Sequence, residues 1–450
     1  MTHAALLPPV GSVPELVLPP TADVRLPSGL RVVALRHASI PMAELRLAIP
    51  LDAVSFRTAA VHELLAATLL HGTARHDRES ITDGLARDGA VLSASRSSRW
   101  LGVSGSGPAA ALPALLRVLG ESLAGARHAD PEVRAARERA VRQVATTRRQ
   151  PHLLASEALI GHLYGPMPRM TDVPHAADLA AVTAEEVRAA HRDAVRPDRA
   201  VLVLVGDLDP VHAAALAARA LGEWPAGGSL PPLPHAPEIP HAPEIPHIPQ
   251  TPEIGRPGVA RIHRPGAVQS QIRLVRPALD RNHPGFAALT LANIVFGGYF
   301  SSRLVADVRE RHGLAYRCES AFHDHLDRLV ISLEADTATA SAAGTLRRMR
   351  HVLRGMAERP PSEAETEAAR RYVTGMTALA TSSQQAWAST LLLSLTLGQE
   401  PDRIAHFLDE LATVTTADVA AAAARFYDPT DYHGVVLGDT AHLTETDTAL

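Results

Sequence analysis

Phe296-Gly297-Gly298-Tyr299-Phe300-Ser301-Ser302-Arg303-Leu304, continued by Val308-Arg309-Glu310-Arg311-His312-Gly313-Leu314-Ala315-Tyr316, is the stretch on which the fold of this 450-residue chain turns. It reads as an apolar helix stopped by Gly297-Gly298, then a helix bearing Asp307, Arg309, Glu310 and Arg311, and after Gly313 a strand opened by Tyr316. The glycine pair is a helix stop rather than a phosphate cradle, because no strand followed by Gly-x-x-x-x-Gly-Lys surrounds it. The plan has an earlier copy at an offset of 224, where Asp83, Arg87 and Gly89 stand for Asp307, Arg311 and Gly313. A gapless match at an offset of 232 pairs Val182-Thr183-Ala184-Glu185-Glu186-Val187 with Val414-Thr415-Thr416-Ala417-Asp418-Val419, and Pro197 with Pro429. It then pairs Val203-Leu204-Val205-Gly206-Asp207 with Val435-Val436-Leu437-Gly438-Asp439. Each copy reads as a helix capped by Thr183 or Thr415, a turn, and a buried strand stopped by Gly-Asp, so the chain is read as a duplicated fold.

From Leu230 to Ile254, Pro234-His235-Ala236-Pro237-Glu238-Ile239 recurs as Pro240-His241-Ala242-Pro243-Glu244-Ile245. Proline this dense forms neither helix nor central strand, and the expectation is an extended spacer. His235, His241 and His247 recur within it, and a slipped repeat in a tolerant linker explains them better than a metal tract. The expected divisions are an N-terminal extension (1–22), a first half (23–229), the Pro/His-rich linker (230–256) and a second half (257–445).

In the first half, strands are expected at Arg31 to Arg36, Glu44 to Ile49, Ala90 to Ser95 and Trp100 to Ser106. Helices are expected at Ala59 to Leu70, Ala109 to Leu123, Pro131 to Arg149, Leu153 to Tyr164 and Thr183 to Ala194. Second-half strands are expected at Gln269 to Val275 and Leu329 to Glu334. The fold class is α+β: two homologous halves, each a mostly antiparallel sheet with helices packed on it, joined by the Pro-rich linker.

The chain is 46% hydrophobic with a net charge of −4, enough apolar content for a sizeable core and no basic footprint for nucleic acid or a polybasic membrane patch. Every basic residue apart from histidine is arginine, which fits a GC-rich bacterial genome. One cysteine, Cys318, excludes an intrachain disulfide and is read as a buried small residue. The first residues lack a basic n-region, and Pro8-Pro9 interrupts any apolar run, so a cytoplasmic location is expected.

Ser28-Gly29-Leu30-Arg31-Val32-Val33, Leu70-His71-Gly72-Thr73 and the Phe296-to-Tyr316 block together resemble the pitrilysin/insulinase (inverzincin) metallopeptidases, over about Val24 to Asp439. Within that family it resembles a zinc-less subunit, like the noncatalytic chain of the mitochondrial processing peptidase and of bacterial two-chain relatives, without the glycine-rich insertion of the mitochondrial chain. Active members carry H-x-x-E-H on the first helix, two imidazoles one turn apart on one zinc and a glutamate acting on the zinc-bound water. Counting back from Gly72-Thr73, this chain has Glu63-Leu64-Leu65-Ala66-Ala67 there, and Gln143 falls where the third ligand, a glutamate, is expected. Sliding the register to His62 puts Leu65 and Ala66 in the acid and second-ligand places. The resemblance therefore implies no metal and no catalytic residue in this chain.

The family's R-x6-Y pair, which holds substrate peptide near the zinc, is met by Arg309 and Tyr316. A guanidinium and a phenol can both donate to a peptide carbonyl and to the oxyanion that grows on it. Against this stand a solvated charge for Arg309 and a core aromatic for Tyr316. The resemblance implies a noncatalytic subunit of a zinc metalloendopeptidase heterodimer that processes or degrades peptides, with zinc in a homologous partner. The alternative is a structural homologue with no proteolytic role. His323-Asp324-His325 is read as a polar hairpin tip rather than a metal site, His71 and His76 as solvated surface residues, and no serine or cysteine hydrolase site is recognised.

Overall fold

The computed structural model describes residues 16–170, 172–225, 258–325, 328–439 and 441. The linker at 230–256 with its three histidines, and most of the extension at 1–22, lie outside the described residues.

The first half is built on strands β1 (Thr21–Arg25), β2 (Arg31–Arg36), β3 (Met42–Pro50), β4 (Val91–Arg96), β5 (Trp100–Pro108) and β6 (Val201–Gly206), in the sheet order β1-β2-β6-β3-β5-β4. The second uses β7 (Val259–His263), β8 (Gln269–Pro277), β9 (Ala315–His325), β10 (Arg328–Ala338) and β11 (His433–Gly438), in the order β7-β11-β8-β10-β9. In each sheet one pair is parallel, β2 with β6 (Arg31↔Val201) and β7 with β11 (Gly434↔Val259), and all other pairings are antiparallel. The two orders superpose as β2-β6-β3-β5-β4 on β7-β11-β8-β10-β9, which is the duplication read from the repeats.

The recurring Gly-Asp strand stop has a steric cause. A Cβ on Gly206 would lie 2.4 Å from the Met42 carbonyl oxygen, and one on Gly438 would lie 2.2 Å from Ser270 Oγ. Neither approach leaves room for a side chain. The repeated helix start is as direct, since Thr183 with Glu186 and Thr415 with Asp418 form reciprocal caps.

Helices α1 (Phe56–Thr68), α2 (Arg78–Arg87), α3 (Leu112–Gly125), α4 (Asp130–Thr147), α5 (Pro151–Tyr164), α6 (Ala176–Ala181), α7 (Ala184–Ala194) and α8 (Pro210–Ala220) belong to the first half. The second half has α9 (Phe286–Asn293), α10 (Ala342–Glu358), α11 (Glu363–Ala380), α12 (Gln384–Thr396), α13 (Arg403–Thr413) and α14 (Thr416–Phe426). Two π-helical turns also lie there, Ile294–Gly298 continuing α9 and Val305–Arg311 in the place of α2. Most helices cover one face of their own sheet and enclose a core for each half, centred on Leu45, Leu64 and Leu202 in one and on Phe296, Leu333 and Tyr427 in the other.

The opposite faces are covered by exchange. Leu159 and Leu163 of α5 cluster with Val275, Val330 and Val435 of the second sheet. Trp387, Ala388, Leu391 and Leu395 of α12 cluster with Val33, Leu35, Val203 and Val205 of the first. A fully buried residue of this size contributes about 1.5–3 kcal/mol, so the exchange joins the halves firmly. It also explains why Val203-Leu204-Val205 and Val435-Val436-Leu437 are unbroken apolar runs, both faces being covered.

Candidate functional site

Helix α1 is started by Ser55, whose hydroxyl accepts the Thr58 N–H, and its apolar residues sink into the first core. His62 goes with them. Burial, aided by Arg96, pushes its imidazole down to about 4, so it is neutral at pH 7. Glu63, at the first-ligand position, is a third exposed at 35% and faces Arg96, whose Nε lies 3.2 Å from its Oε2. The Arg96 side chain is only 1% exposed and also donates to the Asp172 carbonyl at 2.8 Å and the Ser97 carbonyl at 3.2 Å.

Ala66 and Ala67 offer no donor atom and line a half-open pocket of about 510 Å³ together with His71, α2 residues including Arg78, Ile81 and Leu85, and Val91–Ala94 of β4. Gln143 on α4 is exposed, its amide directed at Thr147 Oγ1 of its own helix at 3.4 Å. Two alanines, a carboxylate engaged with a guanidinium and an exposed amide do not fit a zinc ion. Among the described residues, no group of three or more His, Cys, Asp or Glu side chains is placed to hold a metal.

The reading of His71 and His76 as solvated is corrected. His71 Nδ1 lies 2.9 Å from Glu132 Oε2 and His76 Nδ1 lies 2.8 Å from Glu121 Oε2. Burial first, and Arg78 next, push the His71 imidazole down. Burial works to raise the Glu121 carboxyl, but His76 and Arg117 outweigh it and hold it low. Both glutamates come from helices too distant in sequence to be counted as partners.

A buried chain not anticipated from sequence lies at the end of α1. Thr68 Oγ1 is 2.7 Å from His128 Nδ1, His128 Nε2 is 2.9 Å from His191 Nδ1, and His191 Nε2 is 3.1 Å from the Leu123 carbonyl. Burial pushes His128 down to about 3, and its backbone holds a φ of 42°, a strained value for a non-glycine residue. Only the sequence separation of these residues hid the cluster, since nothing in their spacing marks it.

In the second half, Arg309 lies on the π-helical turn Val305–Arg311, its guanidinium carbon 4.6 Å from the Phe300 ring centre and its Nε 3.2 Å from Glu310. That turn is anchored by Asp307, which accepts from Arg348 at 2.8 Å. Arg303 is fixed by two 2.7 Å bonds to Glu365, whose carboxyl is held down at about 2 chiefly by that guanidinium. Tyr316, at the start of edge strand β9, is 90% exposed, so it is not a core aromatic.

His323 is exposed whereas His325 is half-buried against Tyr164, whose hydroxyl is 3.3 Å from its Nδ1, so the two imidazoles do not share a ligand position. The tip at 326–327 lies outside the described residues. Burial pushes the Cys318 thiol up to about 12, which leaves no thiolate to act as nucleophile.

Fold and site together define a duplicated α+β architecture in which the positions the resemblance assigns to metal ligands hold Glu63, Ala66, Ala67 and Gln143. The family model described as Peptidase M16 inactive domain matches residues 181–373, from the end of the first half into α11, and so does not reach α1. Proteins named uncharacterized zinc protease from Mycobacterium bovis and Mycobacterium tuberculosis are each 25% identical over 329 residues, covering 73% of this chain and 72% of theirs. One from Mycobacterium leprae is 30% identical over 154 residues, 34% of each chain. The solved peptidase M16 inactive domain from Pseudomonas fluorescens superposes with a TM-score of 0.79 at 23% identity, covering 94% of this chain and 98% of that one. A protease from Helicobacter pylori gives 0.80 at 16% identity, covering 94% and 100%, and these two likenesses speak to the fold. The chain is thus similar to the pitrilysin/insulinase metallopeptidases, with a model of their inactive domain matching its middle and zinc-protease relatives matching about three quarters of it.

No helix among the described residues is long and apolar enough to cross a membrane.

Proposed function

We propose that this chain is the noncatalytic subunit of a zinc metalloendopeptidase heterodimer, pairing with a zinc-bearing homologue and supplying Arg309 and Tyr316 to hold an extended peptide there. The observation that carries this reading is the contrast between the two halves. In the first, the ligand positions hold Glu63, Ala66, Ala67 and Gln143, with Glu63 engaged by Arg96. In the second, Tyr316 stands almost fully exposed at the start of an edge strand, and Arg309, its side chain 35% exposed, rests over the Phe300 ring beside Glu310. A phenol and a guanidinium presented beside an open strand edge suit a peptide backbone, which offers carbonyl acceptors at regular intervals.

The test is reconstitution. The isolated chain should bind no stoichiometric zinc and cleave no peptide, and mixing with its zinc-bearing homologue should give turnover. In the complex, Arg309→Ala and Tyr316→Phe should each lower turnover about ten- to a thousandfold, the range for losing a donor to a developing oxyanion, without preventing assembly. One equivalent of zinc in the isolated chain, or unchanged turnover in both variants, refutes the proposal; the second result favours a structural homologue.

A further inference from the structure

Helix α11 presents an apolar stripe to the outside. Tyr372, Met376 and Leu379 follow at helical spacing, and Leu379 is 65% exposed. The stripe continues onto the loop after α9, where the Tyr299 ring lies 5.2 Å from that of Tyr372. Phe300, the next residue and also 65% exposed, lies under the Arg309 guanidinium. The backbone from Tyr299 to Phe300 thus leads from the stripe to the cation proposed to hold peptide.

The duplication gives this surface its meaning. Helix α11 packs against α9 and its π-helical turn as α4 packs against α1. Met376 stands at the same step from its helix start as Gln143, the residue at the third-ligand position. The stripe is thus the second half's counterpart of the face of α4 that carries Gln143.

We propose that Tyr299, Tyr372, Met376 and Leu379 form a subsite for an aliphatic or aromatic side chain of the peptide whose backbone Arg309 and Tyr316 hold. This rests on the peptide-holding reading above and adds a substrate class to it. A peptide is the occupant because donors and apolar groups adjoin here, as carbonyls and side chains do along an extended chain. Four partly exposed side chains offer less than the roughly 800 Å² per partner that a stable protein interface needs. Methionine and stacked tyrosines suit side chains of varied shape.

The experiment measures fluorescence-anisotropy binding of two labelled ten-residue peptides to the full chain. Both are uncharged and Ser/Gln-rich; one carries a central Phe-Gln-Leu, the other Ser-Gln-Ser. The apolar peptide should bind about ten- to a hundredfold more tightly, the ratio expected for burying one or two such side chains. Leu379→Ser and Tyr372→Ala, at exposed positions where a native melting temperature reports intact folding, should abolish that ratio and leave the weaker peptide unaffected. Tyr316→Phe should weaken both peptides equally. Equal binding of the two peptides, with Tyr316→Phe still weakening both, overturns the subsite and leaves the peptide-holding role standing. Absence of binding by either peptide overturns both. A ratio untouched by Leu379→Ser and Tyr372→Ala, with assembly with the homologue lost instead, assigns the stripe to a protein interface and overturns the subsite.

Discussion

Replacing Glu63 tests whether the vacated ligand position has become a structural ion pair. A hydrogen bond between charged groups contributes about 1.5–3 kcal/mol net, and stripping a fully buried pair of one partner costs about 3–5 kcal/mol. Neither figure applies in full, because Glu63 is 35% exposed and Arg96 keeps the Asp172 and Ser97 carbonyls. Discounting for solvent screening leaves about 1–2 kcal/mol for Glu63→Ala. For a half of this size that corresponds to a fall of about 2–8 °C in the melting temperature of the first half. Glu63→Gln, which can still accept from Nε without the charge, should lose about half as much.

The assay is differential scanning calorimetry of the two Glu63 variants, Arg96→Ala and the Glu63→Ala/Arg96→Ala double variant. The double-mutant cycle should show a coupling of about 1–2 kcal/mol. Additive losses, or a Glu63→Ala chain melting with the native one, would falsify the view that this carboxylate and guanidinium stabilise each other.

Leu391→Ala should cost about 2–5 kcal/mol as a buried large-to-small change. Because Leu391 packs on the first sheet, hydrogen exchange should accelerate in β2 and β6 as well as in α12; acceleration confined to α12 would count against the helix exchange. His62, held at about 4 by burial with Arg96 adding to it and Asp52 opposing, stays neutral in the folded chain while its unfolded form takes a proton near pH 6.5. The folded state thus binds fewer protons in that window, so His62's contribution is full above pH 6.5 and is lost as pH falls toward 4; His62→Leu should flatten stability against pH there, and unchanged slopes would exclude this cause. Glu365, held at about 2 against an ordinary 4.5, contributes stability that is lost as pH falls from 4.5 toward 2. Glu365→Gln should remove that acid limb, and a melting profile below pH 4.5 identical to that of the native chain would count against it. Cys318 should resist thiol reagents in the folded chain and react at once in denaturant, whereas rapid native labelling would contradict its burial.

The sheets were legible because strand runs and repeats are local: Arg31 to Arg36 is β2 to the residue, and Thr183 caps the helix expected there. Helix ends shifted by a turn at most. The run expected from Ala109, for example, opens with a 3-10 turn at Ala109–Ala111 before α3 begins at Leu112. The exchange of α5 and α12 was not legible, since an apolar helix looks the same whichever sheet it covers. The π-helical turns were hidden for a similar reason, their composition being that of ordinary helix. At the site, the ligand positions followed from the family resemblance and not from the residues themselves, while the partners of Glu63, His71 and His76 all come from other elements of the fold.

Those partners also decide how the missing ligands are to be understood. A ligand set lost by drift alone leaves its surviving carboxylate without a cation, and a carboxylate in a partly buried setting without a partner is costly. Here the first-ligand position carries Glu63 rather than histidine, and its charge meets the nearly buried Arg96 at the end of β4. The next two positions are alanines that complete an apolar wall instead of exposing polar atoms. Glu63, Ala66 and Ala67 are thus each accommodated by the residues around them. With Tyr316 exposed at the start of β9 in the other half, this is the arrangement expected if, as proposed, the chain shapes a peptide chamber and leaves the chemistry to another subunit.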